Sequence, residues 1–161
     1  MKLQQQQTFY DCFLATIAML ANTSLSEVTQ KVCKLGDIDS FHEIAYDYIK
    51  FWPLCANTAE FYNLPNLAKT CRMLVNYPSM QMLKDCSKVQ PFKLDVDLSG
   101  KGQIGIYWKD SGHSIAFENN IIFDPNADKP MTFTEWQEWS KTAYASQGGI
   151  PERMIVTKES D

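Results

Sequence analysis

The chain has 161 residues, a formal net charge of −4, 45% hydrophobic residues and 21% charged residues. That balance is ordinary globular usage and excludes a disordered chain, a collagen-like repeat and a strongly basic nucleic-acid-binding surface. Five cysteines and only two histidines restrict metal and nucleophile chemistry to a few combinations.

Met1-Lys2-Leu3 runs directly into Gln4, Gln5, Gln6 and Gln7, where the apolar region of a signal peptide would begin. No apolar run approaches the ~18 residues of a membrane span. A cytoplasmic setting without membrane or nucleic-acid partners is the expectation, with one domain over 1–161. The cysteines form no Cys-x-x-Cys pair and read as reduced, mostly buried thiols.

The first half reads as helices. Asp11 or a neighbour caps a helix over 12–21, in which Leu14, Ile17, Ala18 and Ala21 make an i, i+3, i+4, i+7 stripe. Ser24, with Glu27 three residues on, has capping-box spacing and opens a second helix that runs to about Lys34 and stops near Gly36. A third is expected over 40–51, ended by Pro53. Shorter helices fit 64–74 and 79–85.

The second half changes period. Residues 103–108 have strand composition, 109–112 form a turn, and 113–118 alternate as a second strand. Asn119-Asn120 is a tight-turn pair, 121–123 a third strand, and Asp124-Pro125-Asn126 its end. Thr132, with Glu135 at capping-box spacing, opens a helix that carries Trp136 and Trp139. Residues 153–157 close as a strand. Helices followed by an antiparallel meander make an α+β chain.

Chemistry converges on a few positions. A thiol attacks as thiolate, and its free pKa of ~8.5 is lowered by a helix N-terminus or an imidazolium. Cys12 alone stands at a helix start; Cys33 lies at a helix end, where the dipole has the wrong sign. His113 begins a strand after Gly112, and the Asn119-Asn120 turn folds Asp124 back beside it as a group that orients the ring. Gln6, six residues before Cys12, offers a side-chain amide as oxyanion donor, and Gln4, Gln5 and Gln7 carry the same group nearby.

Gln6, Asp11-Cys12, the apolar helix through Ala15 and Leu20, Gly112-His113 and Asp124-Pro125 together resemble a papain-like cysteine peptidase of the C39-like branch. Phe13 stands where that branch usually has glycine, and the resemblance is carried by 1–30 and 103–157. It implies a papain-like fold, with an N-terminal helical half carrying the nucleophile and a C-terminal antiparallel sheet half. It implies cleavage of a peptide or other amide bond, in a peptide or protein substrate, by Cys12, His113, Asp124 and Gln6. No cofactor and no metal are required. Deamidation, isopeptide cleavage or acyl or amide transfer would use the same triad, and a binding module could keep the fold without the reaction.

Other residues have plainer readings. His42 has no second histidine at helical spacing and reads as a surface or capping residue. Trp136 and Trp139 read as core or groove wall, and Asp95 and Asp97 as a solvated face or turn.

Overall fold

The protein is described by a computed structural model over residues 1–8 and 10–159. Helix α1 (Cys12–Leu20) is buried at every position from Phe13 to Leu20. A helix that is apolar all round must be enclosed, and α1 packs between helix α2 (Leu25–Gly36) and the sheet. Helix α2 is amphipathic and turns Leu25, Val28 and Val32 inward. Ser24 Oγ accepts the Glu27 N–H at 3.1 Å, as the capping spacing predicts. The Glu27 carboxylate, however, takes the Thr23 hydroxyl. The expected stop at Gly36 shifts by one residue. Asp37 carries the left-handed backbone, with φ 50°. Gly36 stays helical, and its missing side chain admits Leu54, whose Cδ2 would lie 2.6 Å from a Cβ there.

The third helix corrects the sequence expectation. Ser40 caps only a single 3-10 turn, Phe41–Glu43, closed by a reciprocal capping box. Helix α3 begins later and spans Tyr48–Phe61, with Pro53 inside it. Proline removes one intrahelical hydrogen bond and crowds the preceding turn. Here Pro53 lies on the exposed side of α3, where solvent can serve the freed carbonyl. Phe51, Leu54, Cys55, Ala56, Thr58 and Ala59 meanwhile bury the opposite side. Helices α4 (Pro65–Leu74) and α5 (Met80–Leu83) fall where expected. One apolar core joins α1 to α4.

The described strands form one six-stranded antiparallel sheet: β1 (Gln90–Pro91), β2 (Lys101–Tyr107), β3 (Gly112–Glu118), β4 (Ile121–Phe123), β5 (Met131–Thr132) and β6 (Arg153–Glu159), in the order β1-β6-β2-β3-β4-β5. The predicted meander is β2-β3-β4, and the closing strand pairs with β2 along its whole length. The two-residue strands β1 and β5 are too short to show a period in sequence. Helix α6 (Phe133–Ala143) opens on the predicted Thr132–Glu135 capping box. It covers one sheet face, where Trp136 packs with Ile104, Ile115, Phe117 and Ile122. Helices α1 and α4 cover the other. This is an α+β architecture with a cleft between its helical and sheet halves. Among the described residues no single helix is long and apolar enough to cross a membrane.

The β3–β4 turn fixes the site. Asn119 and Asn120 both adopt left-handed backbone, with φ 50° and 67°, the conformation a two-residue mirror turn demands. Ala116 then pairs with Phe123, so Asp124 leaves the ladder level with the His113 end of β3.

Candidate active site

Cys12 is the first residue of α1 and is half-buried. Asp11 holds the N-cap position but makes no side-chain cap. Its buried carboxylate turns back to accept the N–H groups of Gln7 at 3.1 Å and Thr8 at 3.2 Å. The first amides of α1 therefore keep no side-chain cap, and a helix start of this kind favours negative charge. Asp11 instead pins the segment that precedes Cys12.

His113 Nε2 lies 2.8 Å from Asp124 Oδ1, which leaves Nδ1 for Cys12. Burial works against a charged ring here. The charges of Asp124 and Cys12, and hydrogen bonds to both side chains, outweigh it and raise His113 to about 10. These neighbours thus favour the charged form of the ring over the neutral one.

Asp124 is fully buried and receives four donors. His113 and the Asn126 N–H, at 2.9 Å, reach Oδ1; the Trp136 indole at 2.8 Å and the Tyr144 hydroxyl at 2.7 Å reach Oδ2. Burial alone would raise its pKa. The His113 charge and the hydrogen bonds from His113, Tyr144 and Asn126 reverse that, and the carboxyl is held below its usual range. Tyr144 is raised, by burial and by the Asp124 charge. Asn126 Nδ2 in turn donates to the Tyr144 oxygen at 3.1 Å.

The sequence singled out Cys12, His113 and Asp124, and the fold brings them together. Gln6 stands differently. Its Nε2 donates to the Thr8 carbonyl at 2.8 Å, and it does not line the cavity that Cys12 and His113 share. Gln4 and Gln5 are also engaged with backbone, at Leu25 N and Ala127 O. Trp136, Tyr144 and Asn126 were missed as partners of Asp124. Trp136 carried the one readable signal, because a buried indole needs an acceptor for its N–H.

The cavity that Cys12 and His113 line holds about 240 Å³ between the halves. Phe13, Phe51, Trp52, Leu74 and Tyr77 wall its helical side, and Gln103, Gly105, Tyr107 and Ser114 its sheet side. A larger open cleft of about 1230 Å³ lies beyond the glutamine segment and includes neither Cys12 nor His113. His42 is exposed and stacks near Tyr10, with ring centroids 5.3 Å apart. Asp97 pairs with Lys158 at 3.0 Å on the surface. All five cysteines are free thiols. Among the described residues no group of three or more His, Cys, Asp or Glu side chains is placed to hold a metal ion.

The arrangement sets a thiol at a helix start, a ring whose charged form is favoured beside it and a buried carboxylate behind the ring. These are the side-chain types that covalent acyl chemistry uses. No family model, no curated protein and no solved structure matches this chain.

Proposed function

We propose that the protein is a cysteine hydrolase of papain-like type, cleaving a peptide or other amide bond. The observation that carries this reading is the 2.8 Å contact of His113 with the fully buried Asp124, on a ring whose other side interacts with Cys12 at the start of α1.

Cys12, as thiolate, attacks the carbonyl carbon, and the C–S bond forms as the carbonyl oxygen takes the electron pair. The Cys12 N–H holds that oxyanion, and the Gln6 amide joins it by leaving its contact with the Thr8 carbonyl. The intermediate collapses, the C–N bond breaks, and His113 gives its proton to the leaving nitrogen. Water then attacks the thioester while His113 accepts its proton, and the C–S bond breaks to restore the thiolate. Asp124 keeps the ring oriented and its charge balanced throughout. An amine in place of water would make the same intermediate a transferase, and a side-chain amide as substrate would make it a deamidase. The free thiols fit a reducing, cytoplasmic setting.

Iodoacetamide at pH 6, followed by peptide mass spectrometry, tests the nucleophile. Cys12 should alkylate at least tenfold faster than Cys33, and His113→Ala should remove the difference. Equal rates at the two cysteines in the wild type would sink the proposal.

A further inference from the structure

The thiol and the ring that it meets belong to different layers. Cys12 opens α1, which packs on one face of the sheet. The His113 ring reaches toward the other, where its neighbours are Asp124 and Tyr144, the latter with its ring centroid 5.4 Å away. Side chains alternate along β3: Ile115 and Phe117 pack with Trp136 of α6, while Ala116 packs with Met19 of α1. The meeting of Cys12 and His113 therefore depends on how α1 is set along the start of β3.

One polar contact bears on that setting. Thr16 lies one turn on from Cys12 and is the one polar side chain between Phe13 and Leu20; Ser114 directly follows His113. Thr16 Oγ1 and Ser114 Oγ are 2.9 Å apart, and both residues are buried. Thr16 Oγ1 donates to the Cys12 carbonyl at 3.0 Å. Its single proton is thereby used, so Ser114 donates to it. Ser114 Oγ in turn accepts from Gln103 Nε2 on β2 at 3.1 Å. The chain of bonds runs from β2 through β3 to the carbonyl of Cys12.

A threonine hydroxyl bonded four residues back is ordinary in a helix. The link to Ser114 is a different matter. A buried polar pair within an apolar contact gains little over an apolar pair of the same shape. What it adds is direction. Contacts such as Met19 against Ala116 are non-directional, whereas a hydrogen bond holds its two oxygens to a narrow range of distance and angle. Direction matters here, because a displacement of about 1 Å between reacting groups can cost on the order of 10²-fold in rate.

Resting on the hydrolase reading above, we propose that Thr16 and Ser114 are positioning residues: their hydroxyl contact fixes α1 on β3 at the setting in which the Cys12 thiol meets the His113 ring. Neither touches the reacting atoms. Both act through the residues that do.

Thr16→Val keeps the shape of the side chain and removes the hydroxyl, and two measurements on it test the proposal. The ratio of Cys12 to Cys33 alkylation by iodoacetamide at pH 6 should fall at least fivefold. The His113 titration midpoint, followed by NMR, should fall toward its value in Cys12→Ala, because the thiol favours the charged ring. Thr16→Ser, which restores the hydroxyl, should recover both. A merely structural role would lower the urea midpoint and leave the His113 titration in place; that result would overturn the proposal. Ser114→Ala removes the link and keeps the Thr16 bond to Cys12, so it decides in the same way if Thr16→Val does not fold. The outcomes stay distinct from those of the hydrolase reading. A wild-type Cys12 no faster than Cys33 removes the hydrolase, and the His113 midpoint still decides whether the link holds thiol and ring together. Fast wild-type alkylation with a His113 midpoint that Thr16→Val leaves unmoved removes only the positioning role.

Discussion

Trp136 donates its indole N–H to Asp124 Oδ2 at 2.8 Å, from a position with no exposed surface. The largest fully buried side chain of the α6 face is therefore also a partner of the carboxylate behind His113. Trp136→Phe keeps most of the packing and removes one donor; Tyr144→Phe removes the other donor to the same oxygen. Each should cost about 1–3 kcal/mol of stability, the ordinary cost of leaving a buried charged acceptor short of a donor. The double variant should deviate from additivity by at least ~0.5 kcal/mol, since both groups serve one oxygen. Urea unfolding at pH 7 measures both, and single variants within 0.5 kcal/mol of wild type would refute the shared role.

The His113–Asp124 pair sets a pH window. His113 is raised to about 10, so its contribution is complete below the ordinary ~6.5 and fades as pH rises toward 10. Asp124 is lowered, so its contribution is present above ~3.9 and fades as pH falls through its folded value. Both describe one attraction, which is therefore greatest between about pH 4 and 6.5. The stability gap between wild type and Asp124→Asn should be widest there and narrow toward pH 10. Cys12→Ala should move the His113 midpoint down, because the thiol contributes charge and a hydrogen bond to the ring. An NMR midpoint unchanged by that substitution would show that thiol and ring do not interact.

Asp11 acts on the loop before it rather than on the helix after it. Asp11→Ala leaves the Gln7 and Thr8 amides without their acceptor and should cost about 1–3 kcal/mol. It should also slow Cys12 alkylation, since the segment carrying Gln6 loses its anchor. Asp11→Asn retains one acceptor oxygen and should fall between. Unfolding midpoints of the two variants, compared with wild type, decide the matter.

Gly36 and Asp37 offer a matched pair. Asp37→Gly relieves a left-handed backbone and should stabilise by about 0.5–1 kcal/mol. Gly36→Ala drives a methyl into Leu54 and should destabilise by about 1–3 kcal/mol. Opposite signs at adjacent residues, read by thermal unfolding, distinguish this assignment from one with Gly36 as the left-handed residue.

Much of the fold was legible because its signals are local. Ser24, Thr132 and the Asn119-Asn120 pair each dictate a cap or turn from neighbouring atoms alone. Cys12, His113 and Asp124 were legible through a helix start, a strand start and one short turn between them. Pro53 misled because its penalty depends on which side of α3 meets water, which sequence does not state. Asp11 misled because its loop amides compete with the helix for one carboxylate. Tyr144 and Gln103 were invisible for a further reason: Tyr144, at the end of α6, acts on a residue 20 positions back, and Gln103 on one 11 positions ahead on the next strand, where no periodicity reports contact.

One main-chain bond has a mechanical meaning. The Gln6 N–H donates to the Pro125 carbonyl at 3.0 Å, and Gln5 Nε2 reaches Ala127 O at 2.9 Å. Both ties join the leader segment of the helical half to the loop that follows β4, on the side of the cleft nearest Asp124. On the far side of the sheet the Glu159 carboxylate accepts the Asn66 and Leu67 N–H groups, and Thr70 Oγ1 meets Thr157 Oγ1 at 2.8 Å, so α4 is fastened to β6 as well. The two halves are thus buttoned along both margins of the sheet. The mouth between them can change shape chiefly through its rim side chains, among them Tyr46 and Tyr48, which stand 65% and 44% exposed at the cavity's edge.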